Sequence, residues 1–286
     1  MDYEHLRLDP RGDALWVTMD RPERLNALNR RMVEELRDLF VGLYWRHEVR
    51  VVVLRGAGGA FCAGLDLKER DNSGGGGAAN GLVRQRQISE IVIAMRRCPQ
   101  PIIALVDGAA SGGGFAIALA SDVRIATPTL KMNAAFIRIG LSACDIGVSY
   151  FLPRMVGSSV AAELMLTGRF LRAERALALG LVSAVVAPDA LEAEGETLAA
   201  EMLATTPLGL RLTKECLNHA IDAGGLEAAI AMEDRNQILC AQGEDFQEGV
   251  RAFLEKRPPN FPGKVSSDMP PSYPWWEAKA PASAAE

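Results

Sequence analysis

The sequence predicts an α/β fold, and two observations carry the prediction. Short apolar runs of buried-strand type recur along the chain, and between them apolar residues fall at helical spacing. Strand followed by helix, repeated, defines a layered α/β domain. Ala14-Leu-Trp-Val-Thr-Met-Asp20 alternates at period two and predicts the first strand. Met32, Leu36, Leu39 and Leu43 then share one helical face, and Val51-Val-Val-Leu54 is the next strand. Ile88, Ile91, Val92 and Met95 mark a second helix before the strand Ile102-Ile-Ala-Leu-Val106. A strand over 122–127, helices near 148–156 and 173–180, and a strand over 181–186 follow. From residue 206 the pattern becomes helical, with Leu210, Thr213, Leu217 and Ala220 on one face and a further helix near 226–241. The expected division is a core over 1–205, a helical region over 206–262 and a Pro-, Ser- and Ala-rich tail over 263–286. Adjacent Trp275 and Trp276 are unusual in a disordered tail and suggest docking on a neighbour.

At 286 residues with 49% hydrophobic content, the chain can build one large core, which excludes disorder for most of its length. The net charge is −5 and the pI is near 5.4. Lys and Arg are scattered, so no basic stripe offers a nucleic-acid surface, and a small-molecule partner is favoured. Cys62, Cys98, Cys144, Cys216 and Cys240 form no CxxC pair or metal spacing, which argues against structural zinc and fits a reducing compartment. The start Met1-Asp-Tyr-Glu-His has no basic region followed by an apolar one, and no later apolar run reaches membrane-spanning length. The expectation is a cytoplasmic protein without a membrane partner.

Two glycine-rich segments carry the chemistry. Arg55-Gly-Ala-Gly-Gly-Ala-Phe-Cys-Ala-Gly-Leu-Asp-Leu67 and Asp107-Gly-Ala-Ala-Ser-Gly-Gly-Gly-Phe115 each place small residues where a strand meets a turn. Backbone N–H groups there can approach a ligand with no side chain between them. Two such amides facing one point make an oxyanion hole, which in a dry site stabilises a developing negative charge by several kcal/mol.

Together the two segments resemble those of the crotonase family, the enoyl-CoA hydratases and isomerases, over roughly residues 10–262. The resemblance implies a spiral of ββα repeats with a C-terminal helical region that packs across a homotrimer, trimers pairing into hexamers. It implies an acyl-CoA thioester as substrate, with coenzyme A entering as part of that substrate and no cofactor bound for the chemistry. The oxyanion donors would be the N–H of Leu65 and the N–H of Gly113. Contacts to coenzyme A would come from Arg24, in Arg21-Pro-Glu-Arg-Leu-Asn-Ala-Leu28, from Ala63 and from Lys68. Phe253 and Lys256 match a pair that relatives lend to the neighbouring subunit's coenzyme A. The low-complexity run Asp71-Asn-Ser-Gly-Gly-Gly-Gly-Ala-Ala-Asn-Gly81 reads either as a movable lid over the acyl group or as a tolerated surface insertion.

The match breaks at the acids. Hydratases of the family use two glutamates, and the corresponding positions here are Ala116 and Phe136, with no Asp or Glu between Asp122 and Asp145. Each missing proton-transfer group typically costs about a hundredfold or more. Asp145, in Ile139-Gly-Leu-Ser-Ala-Cys-Asp-Ile-Gly-Val-Ser-Tyr-Phe-Leu-Pro-Arg154, resembles the single aspartate of epoxyphenylacetyl-CoA isomerases and related double-bond isomerases, though with one residue more before it. Those relatives also resemble this chain at Gly249-Val-Arg-Ala-Phe-Leu-Glu-Lys256. One carboxylate can remove a proton from one carbon and return it to another, so a single base suffices for an isomerase. A following helix N-terminus would stabilise the Asp145 carboxylate and an apolar pocket would raise its pKa, and the sequence leaves that balance open, as it leaves open a plain capping role.

Glu90 is a weaker acid candidate. Ser111 lacks the Gly-x-Ser-x-Gly setting, Cys144 has no local histidine, and His5, His47 and His219 lie far in sequence from both glycine segments. The alternatives are a hydratase with acids relocated to Glu90 or the glycine loop, and an acyl-CoA hydrolase, which the chain resembles at Tyr150-Phe-Leu-Pro-Arg154. A non-catalytic member binding acyl-CoA or RNA is a third, the acidic balance arguing against RNA.

Overall fold

β1 (Leu6–Arg11) and β2 (Ala14–Met19) form an antiparallel hairpin in register from Leu6 opposite Met19 to Arg11 opposite Ala14. The computed structural model of the protein describes residues 3–69 and 77–265. β2 continues in parallel with β3 (Val51–Gly56), then β4 (Ile102–Val106), β6 (Val123–Ala126) and β9 (Ala184–Val185), giving a sheet ordered β1-β2-β3-β4-β6-β9. A smaller sheet sets β5 (Ala109–Ser111) beside β7 (Lys131–Asn133) and β8 (Leu171–Arg172). The helices are α1 (Arg30–Gly42), α2 (Gly77–Arg97), α3 (Gly113–Ala120), α4 (Val148–Val156), α5 (Ser158–Thr167), α6 (Ala173–Ala178), α7 (Leu191–Leu203), α8 (Pro207–Ala220), α9 (Leu226–Ala241) and α10 (Glu244–Glu255). A strand in the large sheet, a short strand or bridge in the small one and a helix recur, the order expected of a ββα spiral.

Both faces of the large sheet are covered. Leu15, Val17, Val52, Leu54 and Ala104 pack with Leu36 and Phe40 of α1 and Ile91 and Met95 of α2. Trp16, Val53, Ile103, Leu105 and Ile125 pack beneath Ala199 of α7. β2 is therefore buried along its whole length despite its alternating sequence, because α7 closes the face that alternation alone would leave to water. The alternation of small and large residues does not announce α7, whose apolar stripe of Leu191, Leu198 and Met202 is diluted by Ala and Gly.

Two expectations are corrected. The run Gly77–Gly81 is not loop but the first turns of α2, extended from the anchored stretch around Ile91 through Ala78 and Ala79, good helix formers. The strand expected over 181–186 shortens to Ala184–Val185. The remainder of the glycine run, 71–76, and Trp275 and Trp276 lie outside the described residues.

α8 is capped by the Thr206 hydroxyl, which accepts from Gly209 N–H, and is anchored to the core by Lys214. The buried Lys214 ammonium donates to the Met95 and Gln100 carbonyls at 2.9 and 2.8 Å and pairs with Asp122 at 3.1 Å, the full satisfaction a buried cation requires. The opposite face of this region is apolar and open, with Leu217 67% and Leu226 75% exposed. Among the described residues no helix is long and apolar enough to cross a membrane.

Candidate active site

The two glycine segments lie side by side because their backbones pair. Cys62 N–H donates to Ala109 O at 2.9 Å and Ser111 N–H donates to Cys62 O at 3.0 Å, a parallel bridge that extends β5. Gly64 has φ +94°, and a Cβ there would stand 2.7 Å from Ser111 O and 3.3 Å from the Gly113 nitrogen. Only glycine meets both demands, the left-handed backbone and the close approach. Gly113 opens α3, a helix buried at every residue, so its N–H is one of the donors a helix leaves unpaired at its start. Among the described residues, neither Leu65 N–H nor Gly113 N–H has an acceptor within the protein. Two uncommitted amides on touching turns can donate together to one ligand oxygen.

A third segment braces them. Leu28 N–H donates to Gly64 O at 2.7 Å, Ala63 N–H to Leu25 O at 3.0 Å, and Asp66 N–H to Leu28 O at 3.0 Å. The turn carrying Arg24 thus runs alongside Ala63–Asp66. Asn26, fully buried, fixes that turn by donating to the Ala57 and Ala60 carbonyls at 2.8 and 2.7 Å. Arg21, also buried, donates to Ala27 O and reaches Asp66 at 3.3 Å and Glu69 at 2.7 Å. Burial would raise the Asp66 carboxyl, but the Glu69 and Lys68 N–H groups and the Arg21 guanidinium hold it below the ordinary carboxylate range. Asp66 is therefore a fixed anion that pins the turn, and sequence reasoning missed it together with Arg21 and Asn26. Their signal is the polar residues interleaved in Arg21–Asn26, which nothing in the sequence alone marks as buried.

Backbone contacts set Ala63–Asp66 beside Leu25–Leu28 and beside the turn into Gly113, while Arg24 is half-exposed and Lys68 exposed. Phe253, 82% exposed, and Lys256 end α10, which packs on α9.

The positions of the two absent glutamates are apolar in space as well as in sequence. Ala116 is buried inside α3, and the Phe136 ring lies 3.5 Å from where a Cβ on Gly112 would stand. Asp145 is half-buried on the turn before α4. Its neighbour Ile146 sits at φ +33°, an uncommon conformation for a β-branched residue, and the Ile146 side chain comes within 3.8 Å of a Cβ built on Gly113. Asp145 does not cap α4. Its Oδ1 accepts from Ile146 N–H at 2.8 Å and from the Gln85 amide of α2 at 2.5 Å. Burial raises its pKa, outweighing both hydrogen bonds. Gln85 was not foreseen, since one polar residue on an exposed helix turn has no distinguishing pattern.

The other candidates are committed elsewhere. Glu90 forms an ion pair with Arg86 one turn away. The Cys62 thiol, wholly buried, is pushed up to about 12, so it is inert despite its place in the first segment. Arg154 stacks on Tyr150, 3.8 Å from the ring centre, and both side chains bind Asp222 after α8, so this stretch ties α4 to the helical region. No group of His, Cys, Asp and Glu among the described residues could hold a metal ion.

One side chain at this junction gives a direct test of its packing. A Cβ at Gly114 would collide with the Cys62 carbonyl oxygen and stand 2.7 Å from the Cys62 Cβ. Overpacking of this kind costs about 1–3 kcal/mol or more. Gly114→Ala is expected to lower the melting temperature by roughly 5–10 °C, read by thermal denaturation; an unchanged value would show that the segments do not touch.

A fold of ββα repeats with two glycine turns presenting uncommitted amides is that of the crotonases, and the chain belongs to the enoyl-CoA hydratase/isomerase family, whose model matches residues 12–264. It is 39% identical to the "Probable enoyl-CoA hydratase echA12" of Mycobacterium leprae over 87% of this chain and 86% of that protein. It is 35% identical to the "1,2-epoxyphenylacetyl-CoA isomerase" of Escherichia coli over 88% of this chain and 95% of that protein. Among solved structures, a probable enoyl-CoA hydratase/isomerase from Mycobacterium abscessus superposes with a TM-score of 0.84 at 36% identity, covering 91% of this chain and 100% of that one.

Proposed function

We propose that this enzyme moves a carbon–carbon double bond of an enoyl-CoA by one-base proton transfer. The thioester oxygen accepts hydrogen bonds from Leu65 N–H and Gly113 N–H, which stabilise the enolate formed when a proton leaves the α-carbon. Asp145 takes that proton and returns it to the γ-carbon, so the double bond shifts into conjugation with the thioester and no water is consumed. The observation that carries this reading is the placement of Asp145. It is a carboxyl with a raised pKa, next in sequence to a side chain that borders Gly113, whereas the hydratase positions hold Ala116 and Phe136. The likeness to an epoxyphenylacetyl-CoA isomerase supports it.

Arg24, Ala63 and Lys68 line the entry for coenzyme A, and Phe253 and Lys256 reach the site of a neighbouring copy. The open apolar faces around Leu217, Leu226 and Phe253 support a homo-oligomer. The test is product mass. With 3-enoyl-CoA the expected product is a 2-enoyl-CoA of unchanged mass, whereas a 3-hydroxyacyl-CoA formed from 2-enoyl-CoA, heavier by one water, would support hydration, and free coenzyme A from either substrate would support hydrolysis.

A further inference from the structure

We propose that Gln85 is a positioning residue for the proton transfer, holding Oδ1 of Asp145 so that Oδ2 is the oxygen that carries the proton. The inference rests on the reading of Asp145 as the base. Both hydrogen bonds to its carboxylate converge on one atom: Gln85 Nε2 donates to Oδ1 at 2.5 Å and Ile146 N–H donates to the same oxygen at 2.8 Å. Among the described residues Oδ2 has no donor. An oxygen without a donor keeps its lone pairs for an incoming proton, whereas one already accepting two hydrogen bonds is the poorer base.

The contact is built into the packing of α2. Val92, two turns beyond Gln85 on the same helix, lies 3.5 Å from where a Cβ on Gly147 would stand, so one face of α2 spans the turn Asp145–Gly147. Ile91 and Met95 lock that helix into the core, while its first turns are solvent-exposed. Gln85 sits between the two regimes. A neutral amide there orients the carboxylate without making it an ion pair, which would depress its basicity further than one hydrogen bond does.

The charged side chains on the surrounding elements are Arg84, Arg86, Glu90, Arg96 and Arg97 on α2, Arg138 before the turn and Arg154 on α4. Arg86 pairs with Glu90, Arg96 with Asp122 and Arg154 with Asp222, and among the described residues no ion pair joins any of the seven to Asp145. Burial and two hydrogen bonds therefore set its titration, and the Gln85 bond is the one a side-chain substitution removes.

The test is Gln85→Met, which keeps the length of the side chain and deletes the donor. Losing a donor to the charged form raises the carboxyl pKa, so the acidic limb of the pH–rate profile is expected to move up by about one pH unit. The apparent KM for enoyl-CoA is expected to stay within about twofold, because the amide does not touch the substrate. A second readout needs no turnover: in protein labelled with carbon-13 at the aspartate carboxyls, the resonance that disappears in Asp145→Asn is expected to titrate about one unit higher in Gln85→Met. An unchanged titration in Gln85→Met overturns the inference, whatever the activity. Should Asp145→Asn leave proton transfer intact, the base itself is misassigned, a separate result that the Gln85 titration cannot produce.

Discussion

Asp145→Asn is expected to slow double-bond migration by roughly 10²- to 10⁴-fold, the range a positioned proton-transfer group supplies, with the apparent KM nearly unchanged. The variant suits the purpose because asparagine keeps the oxygen that accepts from Gln85 and Ile146 and removes only basicity. Folding is not expected to suffer. In the wild-type protein burial raises the Asp145 pKa, so the contribution of this group to stability is present below its unfolded-state pKa and is lost as the pH rises through the folded value. At neutral pH the neutral amide removes that penalty, and the variant should melt no lower than the wild type. Activity has the opposite dependence, since the base must be ionised: the acidic limb should lie above the ordinary aspartate range and should be absent from whatever activity the variant retains. Steady-state rates from acidic to neutral pH check both points.

The second large effect belongs to the backbone. Gly113→Pro deletes the N–H proposed to hold the thioester oxygen, and proline is accepted at the first position of a helix, where that N–H has no internal partner. Removing one such donor typically costs roughly 10²- to 10³-fold in kcat. The added Cβ meets the Leu28 Cδ1 methyl, 2.7 Å away, the far end of a flexible side chain. Gly113→Ala brings the same Cβ and keeps the N–H, so it measures the steric cost of that carbon. The alanine variant is expected to retain most of the activity that the proline variant loses, with circular dichroism showing that both are folded; equal losses would mean that the amide contributes nothing.

Much of the fold is legible in the sequence because buried strands such as Val51–Leu54 and Ile102–Val106 and the helix carrying Leu36 and Leu39 have strong apolar periods. α7 is not, since its alanines and glycine blur the stripe that covers Trp16, and α2 begins earlier than its apolar residues do because an anchored helix propagates through Ala78 and Ala79. The two glycine turns could be read because their chemistry resides in the backbone and only small residues allow it. Their bracing could not: Arg21, Asn26 and Asp66 resemble surface residues until the fold buries them. The same holds at Asp145. Its residue type is visible in the chain, but what holds its carboxylate is not, since the partner is Gln85, sixty positions away.

One carboxylate and two backbone amides are proposed to move a proton without adding water. Wild-type protein and Asp145→Asn, each incubated with 3-enoyl-CoA and with 2-enoyl-CoA in deuterated water, test this by product mass. From 3-enoyl-CoA the wild type is expected to form a 2-enoyl-CoA with no added water, carrying deuterium only to the extent that the Asp145 carboxyl exchanges with solvent before it protonates the γ-carbon, and Asp145→Asn is expected to lose this product. A 3-hydroxyacyl-CoA formed from 2-enoyl-CoA equally by both proteins, with no double-bond migration from 3-enoyl-CoA, would overturn this assignment and give water addition to acids other than Asp145.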